Sequence, residues 1–332
     1  MVIAFGGNAQ KSSVRLEKNP AADEVHVLVD DQLFTTYRFD RSQEKPVLFP
    51  VLASGQVMVT RGYPLQPRAG ERIDHPHHTG VWFNYGDVNG VDYWNNSFAI
   101  PDSVKSHYGS VKHVRIVEMV SGVGTGKLTV ESKWIDASGT AVLAETTEFQ
   151  FFAQGQVRGI DRFTVLRAEK APVLFRDNKE GLFAIRVARE FEEPVTEPEV
   201  FIDASGRPSP VAVMDNSGVN GRYRNSEGDE GAAVWGRRAR WVSLTARKDS
   251  QRISIAIIDH PANPGYPAHW HARTYGLFSV NNFGSRVFQP ADPFQVITLD
   301  GKTEMVLKHR MLVGPADELS ITALNRYAES FR

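Results

Sequence analysis

Three histidines lie close together in the first third of the chain, at His75, His77 and His78. Imidazole side chains transfer protons near neutral pH, ligate metals and hydrogen-bond to sugar hydroxyls, so the cluster is compatible with each of these three chemistries. Pro76 cannot pair within a central strand, and His75 and His77 are therefore predicted to lie in a loop that leads into a strand. Adjacent His77 and His78 cannot point the same way from a regular strand, which weakens the metal interpretation.

The residues that follow this loop alternate in character, as expected of a strand with two different faces. His78, Trp82 and Asn84 fall on one face, whereas the other face is apolar and is predicted to be the core face. An indole ring beside hydrogen-bonding side chains suits a sugar, which offers a C–H face and hydroxyl groups. Taken alone, the strand is equally compatible with a core tryptophan and a buried, hydrogen-bonded histidine.

A second stretch rich in histidine runs from Asp259 to Asn282, and it repeats the tripeptide DHP of the first stretch. In a strand, its residues His269, His271 and Arg273 would share a face. Such a polar, titratable set is costly to bury without a ligand or partners. These residues are therefore predicted to form a second wall of the same pocket.

A third polar stretch, FRDNKEGLFAIR, places Asp177 and Glu180 at a turn before a strand that carries Arg186. A carboxylate at the mouth of a strand is a candidate general base. A solvated turn explains the same residues equally well.

The composition limits the class of partner. Lys and Arg together number 38 and Asp and Glu 39, with no long run of either sign, which argues against nucleic acid because phosphate binding needs a basic patch. No apolar run approaches the ~20 residues of a membrane span, so no membrane insertion is predicted. The chain has no cysteine, which excludes disulfides, zinc–thiolate sites and cysteine nucleophiles. The compartment stays open between an exported and a cytoplasmic protein.

The elements that must position these side chains are predicted to be strands. Short segments rich in Val, Ile, Thr and aromatic residues are separated by turn residues, which indicates an all-β sandwich or barrel of antiparallel sheets with little helix. The main helix predicted lies near the C-terminus, beginning around Pro315, Asp317 and Glu318. Residues 1–332 are predicted to be a single domain, with 1–20 as a poorly ordered or trimmed leader and 203–230 as a long loop region.

The strings DHPHHTGVWFNYGDVNGVDYWNN, FRDNKEG and DHPANPGYPAHWHARTYGLFSVNNFG resemble an uncharacterised bacterial family often labelled "PmoA family", which is placed in the galactose mutarotase-like superfamily. The resemblance extends from about Glu24 over most of the chain. It implies a β-supersandwich, in which two large antiparallel sheets leave an open concave face that binds a small-molecule carbohydrate.

The superfamily also implies a two-residue proton relay, in which a histidine acid and a carboxylate base act on a sugar. On this chain, His78 is the predicted acid and Glu180 the predicted base, with Asp177 as the alternative base. His271 and Arg273 are predicted to hold substrate oxygens or a developing negative charge. The remaining predicted sugar contacts are His75, Trp82, Asn84, Asp87, Asn89, Trp94, His269, Trp270 and Asn281.

Three functions are compatible with these residues. The first is an enzyme without a cofactor that epimerises, isomerises, eliminates or hydrolyses a sugar or an oxidised glycoside. The second is a metal enzyme, because His269 and His271 have the spacing to face one divalent ion, with His75, His77 or a carboxylate completing the site. The third is a carbohydrate-binding protein without catalysis. The substrate, its stereochemistry and the oligomeric state are not predicted.

Overall fold

The computed structural model describes residues 11–170 and 172–332, and most of the regular structure in them is strand. The strands of the first half are β1 (Ser13–Asn19), β2 (Glu24–Val29), β3 (Gln32–Arg38), β4 (Val47–Val51), β5 (Val81–Tyr85), β6 (Ser110–Val120), β7 (Gly122–Val123), β8 (Thr125–Ile135), β9 (Ala141–Gln154) and β10 (Val157–Ala168). Those of the second half are β11 (Val173–Arg176), β12 (Gly181–Arg186), β13 (Arg222–Asn225), β14 (Trp241–Lys248), β15 (Gln251–Asp259), β16 (His269–Ala272), β17 (Leu277–Asn281), β18 (Val296–Leu299) and β19 (Glu304–Pro315).

Helical structure is limited to short segments. The described residues contain one α-helix, α1 (Ile321–Ser330), and 3₁₀ turns at Ser54–Gln56, Asp102–His107, Arg189–Phe191 and Gly231–Val234. None of these helices is both long enough and apolar enough to cross a bilayer.

Two large antiparallel sheets form a sandwich. The nine-stranded sheet has the order β16-β17-β12-β5-β4-β3-β2-β1-β7, and the eight-stranded sheet has the order β13-β14-β15-β19-β10-β9-β8-β6. A small third sheet pairs β11 with β18. The main hydrophobic core contains residues of both large sheets, which pack through their inner faces. The prediction of an all-β sandwich of antiparallel sheets with little helix is confirmed.

Two details of the sequence explain local parts of this fold. Asp30 and Asp31 join β2 to β3 with φ angles of 50° and 61°, the left-handed conformation that tight hairpin turns require and that Asp tolerates. On β5, Val81, Phe83 and Tyr85 belong to the core between the sheets, as their alternation predicts.

Three segments of the chain differ in extent or in structure from what the sequence predicted. The predicted leader, 1–20, lies partly outside the described residues, and its described part includes β1, which pairs with β2 and β7. The predicted loop region, 203–230, contains the short strand β13. The C-terminal helix begins later than predicted, because Ser320 caps it and the preceding residues form a turn.

The Ser320 cap provides a first test of the structure. Its Oγ accepts a hydrogen bond from the backbone N–H of Ala323 at 3.4 Å, and the helix buries Ala323 and Leu324. Replacing Ser320 by Ala should reduce the free energy of unfolding by about 1 kcal/mol, measured by urea denaturation. Ser320→Asp keeps a capping oxygen and should retain the stability, so equal losses in both variants would contradict the assignment.

Candidate functional site

The two histidine-rich stretches meet on the outer face of the nine-stranded sheet, the face turned away from the core. Across β16, β17, β12 and β5, His271 pairs with Ser279, Ser279 with Ala184, and Ala184 with Trp82. Neighbouring strands lie about 4.8 Å apart, so this row separates His271 from Trp82 by about 14 Å at the backbone. The small side chains of Ser279 and Ala184 leave space above the middle of the row for other groups.

The segment 73–79, here called the histidine loop, covers part of this face and is shaped around a buried arginine. Arg61 is 1% exposed and donates hydrogen bonds to the carbonyl oxygens of Asp74, His75 and His78 at 2.8, 2.9 and 3.0 Å. Because β5 begins only at Val81, His78 belongs to this loop and does not lead the strand as predicted. These hydrogen bonds fix the position of the loop backbone, and with it the positions of the histidines, over the sheet.

Flat rings stack outward from the sheet. The His75 ring lies nearly parallel to those of His78 and Tyr275, with centroids 4.8 and 5.0 Å away, and His78 in turn stacks on Trp82 at 5.3 Å. Trp82 and His78 are buried, whereas the His75 side chain is 41% exposed. His75 is therefore the imidazole of this stack that a ligand can reach.

His78 is held between hydrogen-bond donors. Trp94 Nε1 lies 3.3 Å from its Nε2, and Arg186 Nη1 lies 3.2 Å from its Nδ1. Burial, together with the nearby His77 and Arg186, lowers the pKa of His78 well below its ordinary value. Both ring nitrogens of the buried His78 therefore face groups of the protein, and neither is open to a ligand. The geometry thus gives His78 a positioning role and does not support the acid role predicted for it.

His75 is backed by a carboxylate. Its Nδ1 lies 2.7 Å from Oδ2 of Asp74, and Oδ1 of Asp74 accepts from Arg61 and Arg186, each at 2.7 Å. Burial alone would raise the pKa of Asp74, but Arg186, the His75 hydrogen bond and Arg61 hold it well below its ordinary value. An ionised carboxylate on Nδ1 fixes the tautomer and leaves Nε2 free to take a proton.

The backbone of His75 supports a functional reading of this residue. Its φ angle is 45°, a left-handed conformation that is uncommon for a residue other than glycine. Such conformations persist where surrounding contacts enforce them, and they cluster at functional sites. Here the enforcing contacts are the hydrogen bonds of Arg61 and Asp74 described above.

Glu180 and His271 form a second titratable pair. Glu180 follows β11 in the turn before β12, and its Oε2 lies 3.5 Å from Nδ1 of His271, which has no hydrogen-bond partner among the described residues. Burial raises the pKa of Glu180 and lowers that of His271 to about 3. The imidazole is therefore neutral at neutral pH, and the contact is not an ion pair. Burial thus shifts both groups toward their neutral forms, and perturbed pKa values of this kind are found at many acid/base sites.

Asn281 explains how the Glu180 turn is held. Its Nδ2 donates to the carbonyl oxygens of Asn178 and Lys179, each at 2.9 Å, and its Oδ1 accepts from two backbone N–H groups of the next turn. All polar atoms of this amide are therefore engaged within the protein. Asn281, predicted to contact a sugar, instead positions the segment that carries Glu180.

Three further residues predicted to contact the sugar, or to serve as the alternative base, stabilise turns. Asp177 accepts hydrogen bonds from backbone N–H groups of the 285–287 turn and of Gln295. Asp87 accepts from Gly90 N–H and lies 3.1 Å from an Arg176 nitrogen. Asn89 has a φ of 56° and accepts from the backbone N–H of Leu174. Loop construction accounts for all three side chains.

The predicted stacking plates are covered by protein. Trp82 is 2% exposed beneath His78 and Trp94, and Trp270 is 0% exposed in the core, where its Nε1 donates to the carbonyl of Ala239. Trp94 is also fully buried. Asn84 is 0% exposed and donates to the carbonyl of Tyr93 at 2.5 Å. None of these four side chains offers a surface to a ligand in this conformation.

His269 and Arg273 flank His271 in different environments. His269 Nδ1 donates to the carbonyl of Gly236 at 2.8 Å, and its ring stacks on Phe288. Arg273 is exposed, and its guanidinium lies 5.6 Å from the Tyr275 ring. Within residues 11–170 and 172–332, no group of three or more His, Asp or Glu side chains is arranged to hold a metal ion.

Two important residues, Arg61 and Lys45, were not predicted. Arg61 follows an ordinary strand-like run, and Lys45 is a single charge before VLFPV. No local pattern distinguishes a buried cation from an exposed one. The polar residues Asp74, Arg186 and Tyr275 stand in the quoted motifs, but only the fold shows that they converge on His75.

Comparison with known proteins gives a family and distant structural likenesses. A family model described as "Family of unknown function (DUF6807)" matches residues 24–329, and this description does not carry the label PmoA. No curated protein matches the chain.

The solved structures that match include the GH36 alpha-galactosidases AgaB and AgaA from Geobacillus stearothermophilus. They have 9% and 11% sequence identity and TM-scores of 0.41, and the matches cover 90% and 91% of this chain. The chain spans only 40% of the length of either of them. A galactose mutarotase related enzyme from Lactobacillus acidophilus matches with 8% identity and a TM-score of 0.28, over 90% of this chain and 96% of its own.

Proposed function

We propose that this chain, which belongs to the DUF6807 family of unknown function, is a carbohydrate-active enzyme that performs general acid/base chemistry on a sugar. The observation that carries the proposal is the convergence of two acid/base groups on one partly open face. One is His75, oriented by Asp74, and the other is Glu180, paired with His271. Tyr275, four residues after His271, stacks on the His75 ring and links the two groups.

Glu180 is the proposed base. Burial raises its pKa, so its carboxylate holds a proton more strongly than an exposed glutamate and is better matched to working pH. It would take a proton from a sugar hydroxyl or from a carbon next to a carbonyl. The neutral His271 imidazole beside it would hold the same substrate atom or share the proton taken up.

His75 is the proposed acid and proton acceptor on the other side of the ligand. Asp74 orients the His75 ring through Nδ1, as the carboxylate does in other carboxylate–histidine pairs. Near these groups, the exposed Arg273 and Lys179 supply positive charge for a developing oxyanion. Return of the proton to a different face or a neighbouring atom gives epimerisation or isomerisation, and loss of a leaving group gives elimination.

The sugar ligand is supported by the kinds of groups on this face. Tyr275 and His75 supply flat rings, while Glu180, Arg273 and Lys179 supply hydrogen-bond donors and acceptors around them. Small-molecule sites with this mixture of apolar surface and a few convergent polar groups suit ligands that carry both C–H faces and hydroxyls.

Proton exchange into sugars tests the proposal most directly. The protein is incubated with a panel of sugars and 3-keto glycosides in deuterated water, and deuterium at carbon is followed by NMR. We expect enzyme-dependent exchange or conversion of at least one member, and its loss in His75→Asn. His107→Asn, which changes an exposed histidine outside the site, is the matched control and should retain activity. Saturable sugar binding without any exchange or conversion would instead favour a binding protein.

A further inference from the structure

A cavity of about 330 Å³ opens beside the histidine loop, on the side where His77 lies. It is here called the Lys45 cleft and is lined by residues 42–45, 47, 64–65, 76–77, 79 and 96–98. The His77 ring lies 5.6 Å from that of His75, so the cleft adjoins the candidate site. Its volume lies at the lower end of the range of about 300–1,000 Å³ that is typical of small-molecule sites.

Lys45 is a buried lysine without a contacting carboxylate, and burial lowers its pKa to about 7, so that a bound carboxylate would favour its charged form. It is 5% exposed, its Nζ donates to the carbonyl of His77 at 2.7 Å, and it lies 5.4 Å from the Trp82 ring. Among the described residues, no carboxylate oxygen lies within 4.0 Å of Nζ. Buried lysines are rare unless they are paired, because an unpaired charge is costly to remove from water.

The nearest carboxylates are engaged elsewhere. Glu44 accepts a hydrogen bond from Ser110 at 2.7 Å and lies 3.4 and 3.3 Å from the ammonium groups of Lys105 and Lys112. Asp92 accepts from the backbone N–H groups of Trp94 and Asn95 and from the Asn95 amide. Lys45 is therefore an amino group on the wall of this cleft that has no carboxylate partner among the described residues.

Other groups on the cleft wall suit a polyhydroxylated ligand. Asn96 is 3% exposed, and its Oδ1 has no donor among the described residues, although its Nδ2 donates to the carbonyl of Gly109. His77 Nε2 is also buried without a partner in the described chain. Leu65 and Phe98, the latter 71% exposed, add apolar surface to the same cleft. Hydroxyl groups would satisfy the two polar atoms, and a C–H face would cover the apolar wall.

We propose that the Lys45 cleft binds the carboxylate-bearing unit of an acidic carbohydrate, with that carboxylate paired to Lys45. The inference rests on the proposed function in taking the ligand to be a carbohydrate, but it does not depend on the acid/base roles of His75 and Glu180. It narrows the substrate class of the adjoining site to sugars that carry a uronic or aldonic acid group.

Matched sugars test the inference by isothermal titration calorimetry. D-glucuronate and D-galacturonate are compared with D-glucose and D-galactose on the wild type, on Lys45→Met and on the exposed control Lys302→Met. We expect at least one uronate to bind about tenfold or more tightly than its neutral parent, because a desolvated charge pair is lost with either partner. Lys45→Met should abolish this preference, and Lys302→Met should keep it.

A second variant keeps the test decisive if Lys45→Met does not fold. Gln43→Glu preserves the size of a side chain that lines the cleft and adds a negative charge to it, so it should weaken uronate binding more than the binding of neutral sugars. Equal affinity for uronates and neutral sugars, no uronate binding at all, or a preference that survives these folded variants would overturn the inference. Uronate binding by a wild type that exchanges no protons would reject the proposed function and leave the Lys45 cleft supported.

Discussion

Replacing Glu180 by Gln is expected to lower kcat by about 10²- to 10⁴-fold on whichever sugar shows proton exchange. The amide has the shape of the carboxylate but cannot take a proton, and the 3.5 Å contact to His271 is preserved in length. Because the amide can still hydrogen-bond to the sugar, KM should change much less than kcat.

The pH profile gives a second readout of the same variant. Since burial raises the pKa of Glu180, the base form appears only above the ordinary range of a glutamate, and wild-type kcat should rise with pH through that elevated pKa. The residual activity of Glu180→Gln should lack this acidic limb. Glu329→Gln changes an exposed glutamate on α1 and is the matched control. Full activity of Glu180→Gln, with the limb intact, would assign the base elsewhere.

Replacing Asp74 by Asn is expected to reduce the free energy of unfolding by about 3–5 kcal/mol. Asp74 is the carboxylate that contacts both Arg61 and Arg186, whose side chains are 1% and 0% exposed. Without it, two guanidinium groups remain buried and repel each other. The same change removes the carboxylate behind His75, so proton exchange should fall as well.

Urea denaturation at several pH values measures this effect. A carboxyl group whose pKa is lowered on folding stabilises the protein above its unfolded pKa of about 3.9 and loses that contribution as the pH falls. The difference in stability between wild type and Asp74→Asn should therefore be full at pH 7 and shrink in acid. Asp317→Asn, at an exposed position, should behave like the wild type. A loss below about 1 kcal/mol would show that the arginines do not depend on this partner.

The sequence predicts strand faces well because alternation is a local property. Phe83 and Tyr85 lie in the core and Trp82 on the opposite face, as their spacing requires. What covers the outer face does not follow from this alternation. His78 and Trp94 fold over Trp82 and remove it from solvent, and no period in the sequence reports that cover.

The candidate acid illustrates the same limit. His75 and His78 are chemically identical in the sequence, and the choice between them depends on exposure and on the partners of each ring nitrogen. Those partners include Arg186, which lies 108 residues from His78 along the chain. For Glu180 the sequence identified a carboxylate at a turn, but its proximity to His271 follows from the strand order β12-β17-β16.

The pairing of β5 with β12 has a consequence for how the protein forms its candidate site during folding. Asp74 and Arg186 are 112 residues apart in sequence, and the pairing of β5 with β12 brings them together. Closing a loop of this length has an entropic cost before any contact compensates it, and folds dominated by such pairings form slowly. The candidate site should therefore form late and in one step during refolding, after the local hairpins have formed. Fragments that contain either histidine-rich stretch alone should have no affinity for sugars.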